Sequence, residues 1–275
     1  MKNTMWISKK KLRFLVFKLY PRLGYLIDGY RIRKQSRDKF FKFQGEISRK
    51  LYTDNHIEVL SGPFKGLQYF NENVFGLITN RWIGSYESEL HELINKFIAE
   101  KKYFRIIDIG SDEGYYAIGL AKAIPKAEVY SYDISSYARK LQARLSKINN
   151  IKNVIIRSSC SNKILNKLSQ RGVLIICDIE GGEYNLIDPV KSPHILQCDL
   201  LIEVHNSNNI PVDKVEIEIK ERFRKTHIIS KITVQKKDIK KYMEICRNKL
   251  SEEDLNMSLD EHRGQEQAWL WIEAI

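Results

Sequence analysis

Arg105 to Asp133 reads RIIDIGSDEGYYAIGLAKAIPKAEVYSYD, and this stretch decides the fold. An apolar run, Ile106 to Ile109, holds one acid, Asp108, and enters a turn bounded by Gly110 and Gly114. Tyr115 to Ala123 then carries a helical pattern, and a second short strand, Glu128 to Tyr132, ends on another acid, Asp133. Glycine is needed where a turn takes positive φ or where backbone must approach closely. In an open α/β sheet, ligands bind beyond the carboxyl ends of the strands. Asp108, Gly110, Ser111, Gly114 and Asp133 therefore converge on one crevice.

Two ligand classes suit such a crevice. A dinucleotide turn carries G-x-G-x-x-G before a helix N-terminus that faces a pyrophosphate, with an acid about 20 residues further on for the ribose. Here Gly110-Ser111-Asp112-Glu113-Gly114 lacks the middle glycine and places two carboxylates where a pyrophosphate would sit. Like charges repel, so a cationic ligand is favoured. S-adenosylmethionine meets that requirement: its sulfonium is positive, its ammonium falls near Asp108, and its ribose diol falls at Asp133. An ordinary strand-turn-helix of an α/β domain, with no ligand, is the plain alternative.

The same stretch resembles motif I of class I S-adenosylmethionine-dependent methyltransferases, and further segments resemble the FkbM-like family among them. Tyr86-Glu87-Ser88-Glu89 is similar to that family's Y-E-x-E helix start. Cys177-Asp178-Ile179-Glu180-Gly181-Gly182-Glu183 is similar to its I-D-x-E-G-x-E signature, and Leu201-Ile202-Glu203-Val204-His205 to its next strand. The resemblance spans about Ile57 to Ile275. It implies an α/β fold with a doubly wound, mostly parallel, Rossmann-like seven-stranded sheet that ends in an antiparallel hairpin. It also implies S-adenosylmethionine as cofactor, and methyl transfer to a hydroxyl of a sugar, a glycolipid or lipid-linked saccharide, or a related natural product. By the same resemblance, Tyr86 and Glu89 close the pocket from outside. The family commonly has Asn where Asp112 stands and an apolar residue where Glu113 stands, so the charge beside the methionine end differs here.

With 275 residues, 43% hydrophobic and 29% charged, the chain suits one large α/β domain with appendages. The expected division is a basic helical N-terminal extension, 1–55, and a methyltransferase domain, 56–275. No run approaches the roughly 18 apolar residues of a membrane span. The stretch Phe14 to Phe17 is too short for a signal peptide, and no small-residue cleavage site follows it. Cys160, Cys177, Cys198 and Cys246 are dispersed without a C-x-x-C pair. Free thiols in a reducing cytoplasm are therefore expected, with neither a zinc site nor a disulfide framework.

Charge is divided unevenly. Of 46 basic and 34 acidic residues, Met1 to Lys50 holds 15 and 3, which leaves 31 of each for the rest. The whole surplus of +12 thus lies in the first 50 residues. An enzyme acting on nucleic acid spreads basic surface around its cleft, so this partition argues against nucleic acid as substrate. Trp6, Leu12, Phe14, Leu15 and Phe17 interleave with Lys9, Lys10, Lys11, Arg13 and Lys18 until Pro21, and Leu23 to Phe41 continues in the same style. Such helices suit an anionic membrane surface, here the inner membrane face. They equally suit packing on their own domain or on a second copy in a homo-oligomer, and an RNA-binding arm is a third reading.

The remaining elements follow from periodicity and turn residues. A hairpin joins His56–Leu60 and Gly66–Phe70 around Ser61-Gly62-Pro63. A helix covers Glu87 to Ala99. Beyond the opening stretch come helix Tyr137–Ile148, strand Asn153–Arg157, a helix near Lys163–Ser169, strand Val173–Cys177, a short helix from Glu183 and strand Asp199–His205. A helix after Pro211, strand Ile228–Val234, a helical insertion near Lys237–Lys249 and strand Ala268–Glu273 complete the chain.

Chemistry belongs where strand ends converge. Asp178 and Glu180 follow the fourth core strand, and Glu203, His205 and Asn206 close the fifth. An alkyl hydroxyl needs a base or a metal to become a nucleophile. His205, neutral near pH 7, is a candidate base. Asp178 is a candidate to orient it, to act as base, or to ligate a divalent cation with Glu203, and such oxygen donors suit magnesium or calcium. As alternatives, Glu180 and Glu183 cap the following helix, and His205 hydrogen-bonds a loop. For the cofactor, Ile134 is placed to pack on the adenine, Ser159-Cys160 to meet its edge, and Tyr115 to cover the methionine chain unless it is a core aromatic. For the acceptor, Glu180, Asn206 and a polar loop with His262, Arg263 and Glu266 are candidate contacts, with Lys237–Lys249 forming a lid. Two other functions stay open: an RNA methyltransferase, and a non-catalytic scaffold that only binds the cofactor.

Overall fold

The structure, a computed structural model, describes residues 39–53, 56–74, 76–207, 209–261 and 267–275. Most of the expected basic helices, and the loop residues His262, Arg263 and Glu266, lie outside the described residues. The chain divides into two units after Glu46, and the second, Ile47–Ile275, carries the site described below.

A small antiparallel hairpin of β1 (Ile57–Glu58) and β2 (Gln68–Tyr69) pairs Ile57 with Tyr69. The main sheet has seven strands: β3 (Arg105–Ile109), β4 (Glu128–Tyr132), β5 (Val154–Arg157), β6 (Val173–Cys177), β7 (Asp199–Val204), β8 (His227–Thr233) and β9 (Ala268–Ala274). Their order is β5-β4-β3-β6-β7-β9-β8. Pairing is parallel from β5 through to β7, and β9 lies antiparallel to both β7 and β8. This is the doubly wound, mostly parallel α/β sheet that the resemblance implies. The last two strands do pair, but β9 inserts between β7 and β8, which leaves β8 on the edge.

The strand patterns explain the positions. Every residue of β6 and of β7 is buried, as strands covered by helices on both faces require. Edge strand β8 is buried only at His227, and its Lys231 pairs with Glu216 at 2.7 Å. A charge on an exposed edge discourages pairing with another chain.

The chain runs outward from β3 to β4 and β5, then crosses back to place β6 on the other side of β3. The carboxyl ends of β3 and β6 therefore lie side by side at the switch in direction, where ligands enter doubly wound sheets. Helix α1 (Thr79–Ile83) was not expected, and the expected Glu87–Ala99 helix opens instead as a 3-10 turn, Ser88–Leu90, before α2 (His91–Glu100). Glu87 itself is left-handed, with φ 47°, a geometry no helix interior accepts. Helices α3 (Tyr115–Ala123), α4 (Ser136–Ile148), α5 (Asn162–Leu168), α6 (Glu183–Leu186) and α7 (Val212–Phe223) fall where periodicity puts them. The 237–249 insertion is shorter than expected, α8 (Ile239–Ile245), and a further helix, α9 (Glu252–Leu259), follows it. Arg247 and Asn248 both take positive φ, so the break after α8 is built into the backbone.

Candidate functional site

The turn after β3 is stitched to its neighbours. Gly110 and Ser111 both donate backbone N–H to the Tyr132 carbonyl, at 2.8 and 3.1 Å. Gly110 has φ 86°, and a Cβ there would lie 1.5 Å from the Asp178 carbonyl oxygen. The glycine thus admits the loop after β6, which sequence reasoning had no means of placing. The Ser111 hydroxyl, buried, donates to the Asp108 carbonyl at 2.8 Å. Gly114 takes φ 99° against Ile118 and Gln142, and Gln142 Nε2 donates to the Asp112 carbonyl at 2.7 Å.

Asp133 stands at the carboxyl end of β4 with both oxygens oriented by backbone: Oδ2 accepts from Asp112 N at 3.0 Å and Oδ1 from Ser135 N at 2.7 Å. Each oxygen keeps a further lone pair for a diol. Ile134, beside it, is 87% exposed, an apolar surface with nothing over it at the rim of the crevice. Ser159 lies exposed beyond β5. Asp108 is 3% exposed, and its Oδ2 makes no hydrogen bond. Burial, the main cause, together with the nearby Asp178 and Asp133 carboxylates, pushes its carboxyl up to about 7 despite help from Ser111. A buried acid lacking a partner at one oxygen is a place for a cation.

Asp112 and Glu113 do not place negative charge in the crevice as expected. Arg81, on α1, holds Glu113 at 2.5 Å through Nε and Asp112 at 3.3 Å through its guanidinium tip. Glu113 is fully buried, accepts from Tyr69 Oη at 3.0 Å, and Tyr86 lies under the guanidinium with its centroid 4.0 Å away. Arg81 offsets one of these two charges, and burial beside Glu113 pushes the Asp112 carboxyl well above its ordinary value, so Asp108 becomes the acid that would favour a cationic ligand. An arginine in the unremarkable N-R-W run of α1 offers no advance signal of this role. Tyr115 packs among Phe64, Tyr86 and Tyr116 with centroids 5.0 to 5.5 Å apart. It belongs to an aromatic layer under the turn, and its buried hydroxyl has no hydrogen-bond partner.

The second half of the site gathers acids around one imidazole. His205 follows β7 and is 8% exposed. Its Nδ1 meets Glu183 Oε1 at 3.1 Å. Glu183, at the first position of α6, also accepts from Ile179 N at 2.7 Å and Gly181 N at 2.9 Å. It therefore ties the loop and the imidazole together, beyond the helix-capping role expected of it. His205 Nε2 faces Asp178 Oδ1 at 3.8 Å, Glu180 Oε2 at 3.6 Å and Glu203 Oε2 at 3.6 Å. Burial would lower the imidazole pKa, but the Glu183 hydrogen bond and the surrounding carboxylates outweigh it and raise it. Asp178 is pushed up to about 6, chiefly by burial and then by Glu87, against the opposing pull of His205.

Gly181, φ 101°, lets the loop pass the Asn206 carbonyl, where a Cβ would lie 2.3 Å away. Asn206 does not join the acids through its carboxamide oxygen, which accepts from Val212 N at 2.8 Å and caps α7. The expected lid helix, Lys237–Lys249, is tied at both ends: Lys237 Nζ donates to the Leu259 carbonyl at 2.7 Å and Lys249 Nζ to the Leu51 carbonyl at 3.0 Å. Asp178, Glu180, Glu203 and His205 are thus brought together, beside the crevice formed by Asp108, Gly110 and Asp133. No helix among the described residues is long and apolar enough to cross a membrane.

No protein-family model and no curated protein matches the chain. Solved structures do resemble it. TYW2 of M. jannaschii in complex with AdoMet has 15% identity over 76% of this chain and 82% of that one, with a TM-score of 0.46. A candidate O-methyltransferase from Klebsiella pneumoniae has 12% identity over 91% and 97%, also with a TM-score of 0.46. An rRNA methylase from Streptococcus thermophilus has 12% identity over 68% and 96%, with a TM-score of 0.45.

Proposed function

We propose that the chain is an S-adenosylmethionine-dependent O-methyltransferase acting on a hydroxyl of a sugar, a glycolipid or lipid-linked saccharide, or a related natural product. The observation that carries this reading is the adjacency of two half-sites at the switch in sheet direction. One half offers what the cofactor needs: Asp108 with a buried oxygen that has no hydrogen-bond partner, for the ammonium; Asp133 for the ribose diol; and exposed Ile134 for the adenine. The other half offers what a hydroxyl needs, a buried histidine among carboxylates. The cofactor would supply an electrophilic methyl group on a sulfonium.

The protein's part is to orient the acceptor and take its proton. The Asp178–His205 cluster would take the hydroxyl proton as the oxygen takes up the methyl group, and the sulfur would keep the electron pair of the carbon–sulfur bond. Glu180, exposed at the mouth, and Arg263 are candidates to contact the acceptor. The basic segment 1–50 would hold the enzyme at an anionic inner membrane face, which suits a lipid-linked acceptor.

Calorimetric titration with S-adenosylmethionine, S-adenosylhomocysteine and NAD tests the cofactor half. Both adenosyl ligands should bind at micromolar levels, on the order of −8 kcal/mol, and Asp133→Ala should lose that binding. Binding of NAD alone would overturn the reading.

A further inference from the structure

Asp178, just after β6, and Glu203, near the end of β7, are acids on neighbouring strands, and each faces His205 Nε2, at 3.8 and 3.6 Å. Acids gathered at one point repel one another unless a cation lies among them. His205 is more than nine-tenths buried and its Nε2 makes no hydrogen bond. Its Nδ1 is engaged by Glu183, which is itself anchored by two backbone N–H groups.

With Nδ1 donating to Glu183, Nε2 would present its lone pair to a cation held among the acids. A carboxylate behind the far nitrogen, with the near nitrogen free, is how metal-ligating histidines are oriented. The separations agree. Nε2 stands 3.6 Å from Glu203 Oε2 and 3.8 Å from Asp178 Oδ1, and one ligand atom from each of the three residues lies within 4.8 Å of the other two. These gaps are too long for hydrogen bonds. With bonds of about 2.1 Å, adjacent ligands of a tetrahedral ion stand roughly 3.4 Å apart, so only a small closure is required.

We infer that Asp178, Glu203 and His205 form a binding site for one divalent first-row transition-metal ion. Two oxygens and an imidazole nitrogen suit manganese, iron or zinc better than magnesium or calcium, which favour all-oxygen shells. Three protein ligands leave positions open toward the crevice. A hydroxyl oxygen bound there would lose its proton more readily, to Glu180 at the mouth, and His205 would then serve as ligand and not as base. That role rests on the methyl-transfer reading; the site itself does not, so the test uses the metal alone.

Mn²⁺ is titrated into the chelator-treated full-length protein without S-adenosylmethionine and followed by electron paramagnetic resonance. One site is expected, with a Kd of about 10⁻⁵ M or tighter. Spin-echo spectra of the bound ion should show coupling to an imidazole nitrogen. Glu203→Gln and His205→Ala should each weaken binding at least about tenfold, with circular dichroism reporting whether each variant is folded. No Mn²⁺ or Zn²⁺ binding by the unaltered protein below about 1 mM overturns the site, as does bound Mn²⁺ without nitrogen coupling. These two readouts need no variant. S-adenosylmethionine binding is measured separately, so its failure would strike the methyltransferase reading and leave the metal site standing.

Discussion

Asp108 stores an electrostatic cost that a cofactor would relieve. Folded, its carboxyl sits near about 7 because of burial; unfolded, it titrates at about 3.9. Between those values the unfolded chain has released a proton that the folded chain still holds, so stability falls as pH rises through that window. Asp108→Asn has no proton to lose and should gain on the unaltered protein as pH rises. Calorimetric midpoints at about pH 5 and pH 8 should separate the two proteins more at the higher pH, by at most about 1.4 kcal/mol for each unit of displacement. An equal gap at both would mean that Asp108 is ionised throughout. The ammonium of S-adenosylmethionine needs the ionised form, so its affinity should climb with pH until about 7 in the unaltered protein and stay flat in Asp108→Asn. Arg81 makes the opposite case, a charge retained because its partner is buried. Arg81→Met strands Glu113 and should cost about 3–5 kcal/mol in urea unfolding. Adding Glu113→Gln, which keeps an acceptor for Tyr69, should restore most of that loss, and no recovery would show that the guanidinium works through Tyr86 and Asp112 instead.

The elements were largely legible, the contacts between their ends much less so. Strand β6, VLIIC, is apolar at every position because both faces are covered, and that pattern needs no structure to read. Helix α9 was missed although Ser251-Glu252-Glu253-Asp254 carries its signal: the Ser251 hydroxyl accepts from Asp254 N at 3.1 Å, with acids throughout the first turn. The Asp178, Glu203 and His205 set was readable because each closes a strand. Arg81 was not, because its partners are 31 and 32 positions away and no local pattern joins them. Gly110 shows the same limit: its type announced a special backbone, but only the fold shows that the Asp178 carbonyl requires it. The two kinds of glycine should respond differently. Gly66→Ala meets open space and only a left-handed φ of 79°, so it should cost about 1–2 kcal/mol. Gly110→Ala, with a Cβ 1.5 Å from backbone, must also displace the loop after β6. It should cost well beyond that and weaken S-adenosylmethionine binding, as urea midpoints and titration would show, and equal costs would mean that the loop yields freely.

Across the whole molecule, the charge partition separates chemistry from location. The 31 acids and 31 bases after Lys50 cancel, while the first 50 residues carry the entire +12, so any long-range attraction to an anionic surface acts through that end. Each basic residue near such a surface contributes on the order of 1 kcal/mol, an effect that falls away within a Debye length. Replacing Lys9, Lys10, Lys11 and Arg13 by Gln should therefore lower partitioning onto vesicles of anionic lipid by roughly two to three orders of magnitude, since about 1.4 kcal/mol is tenfold. The aromatic and aliphatic residues between them remain, which keeps the contrast electrostatic. Flotation with anionic and with zwitterionic vesicles, each at low and high salt, measures this directly. Binding to anionic vesicles that salt weakens and the substitutions abolish would support the membrane-bound arm. Equal flotation of both proteins would remove it, and retention of single-stranded RNA with a steep salt slope would move the arm's partner to nucleic acid. In every case S-adenosylmethionine affinity should be the same for the two proteins, because no residue assigned to the cofactor lies in the first 50.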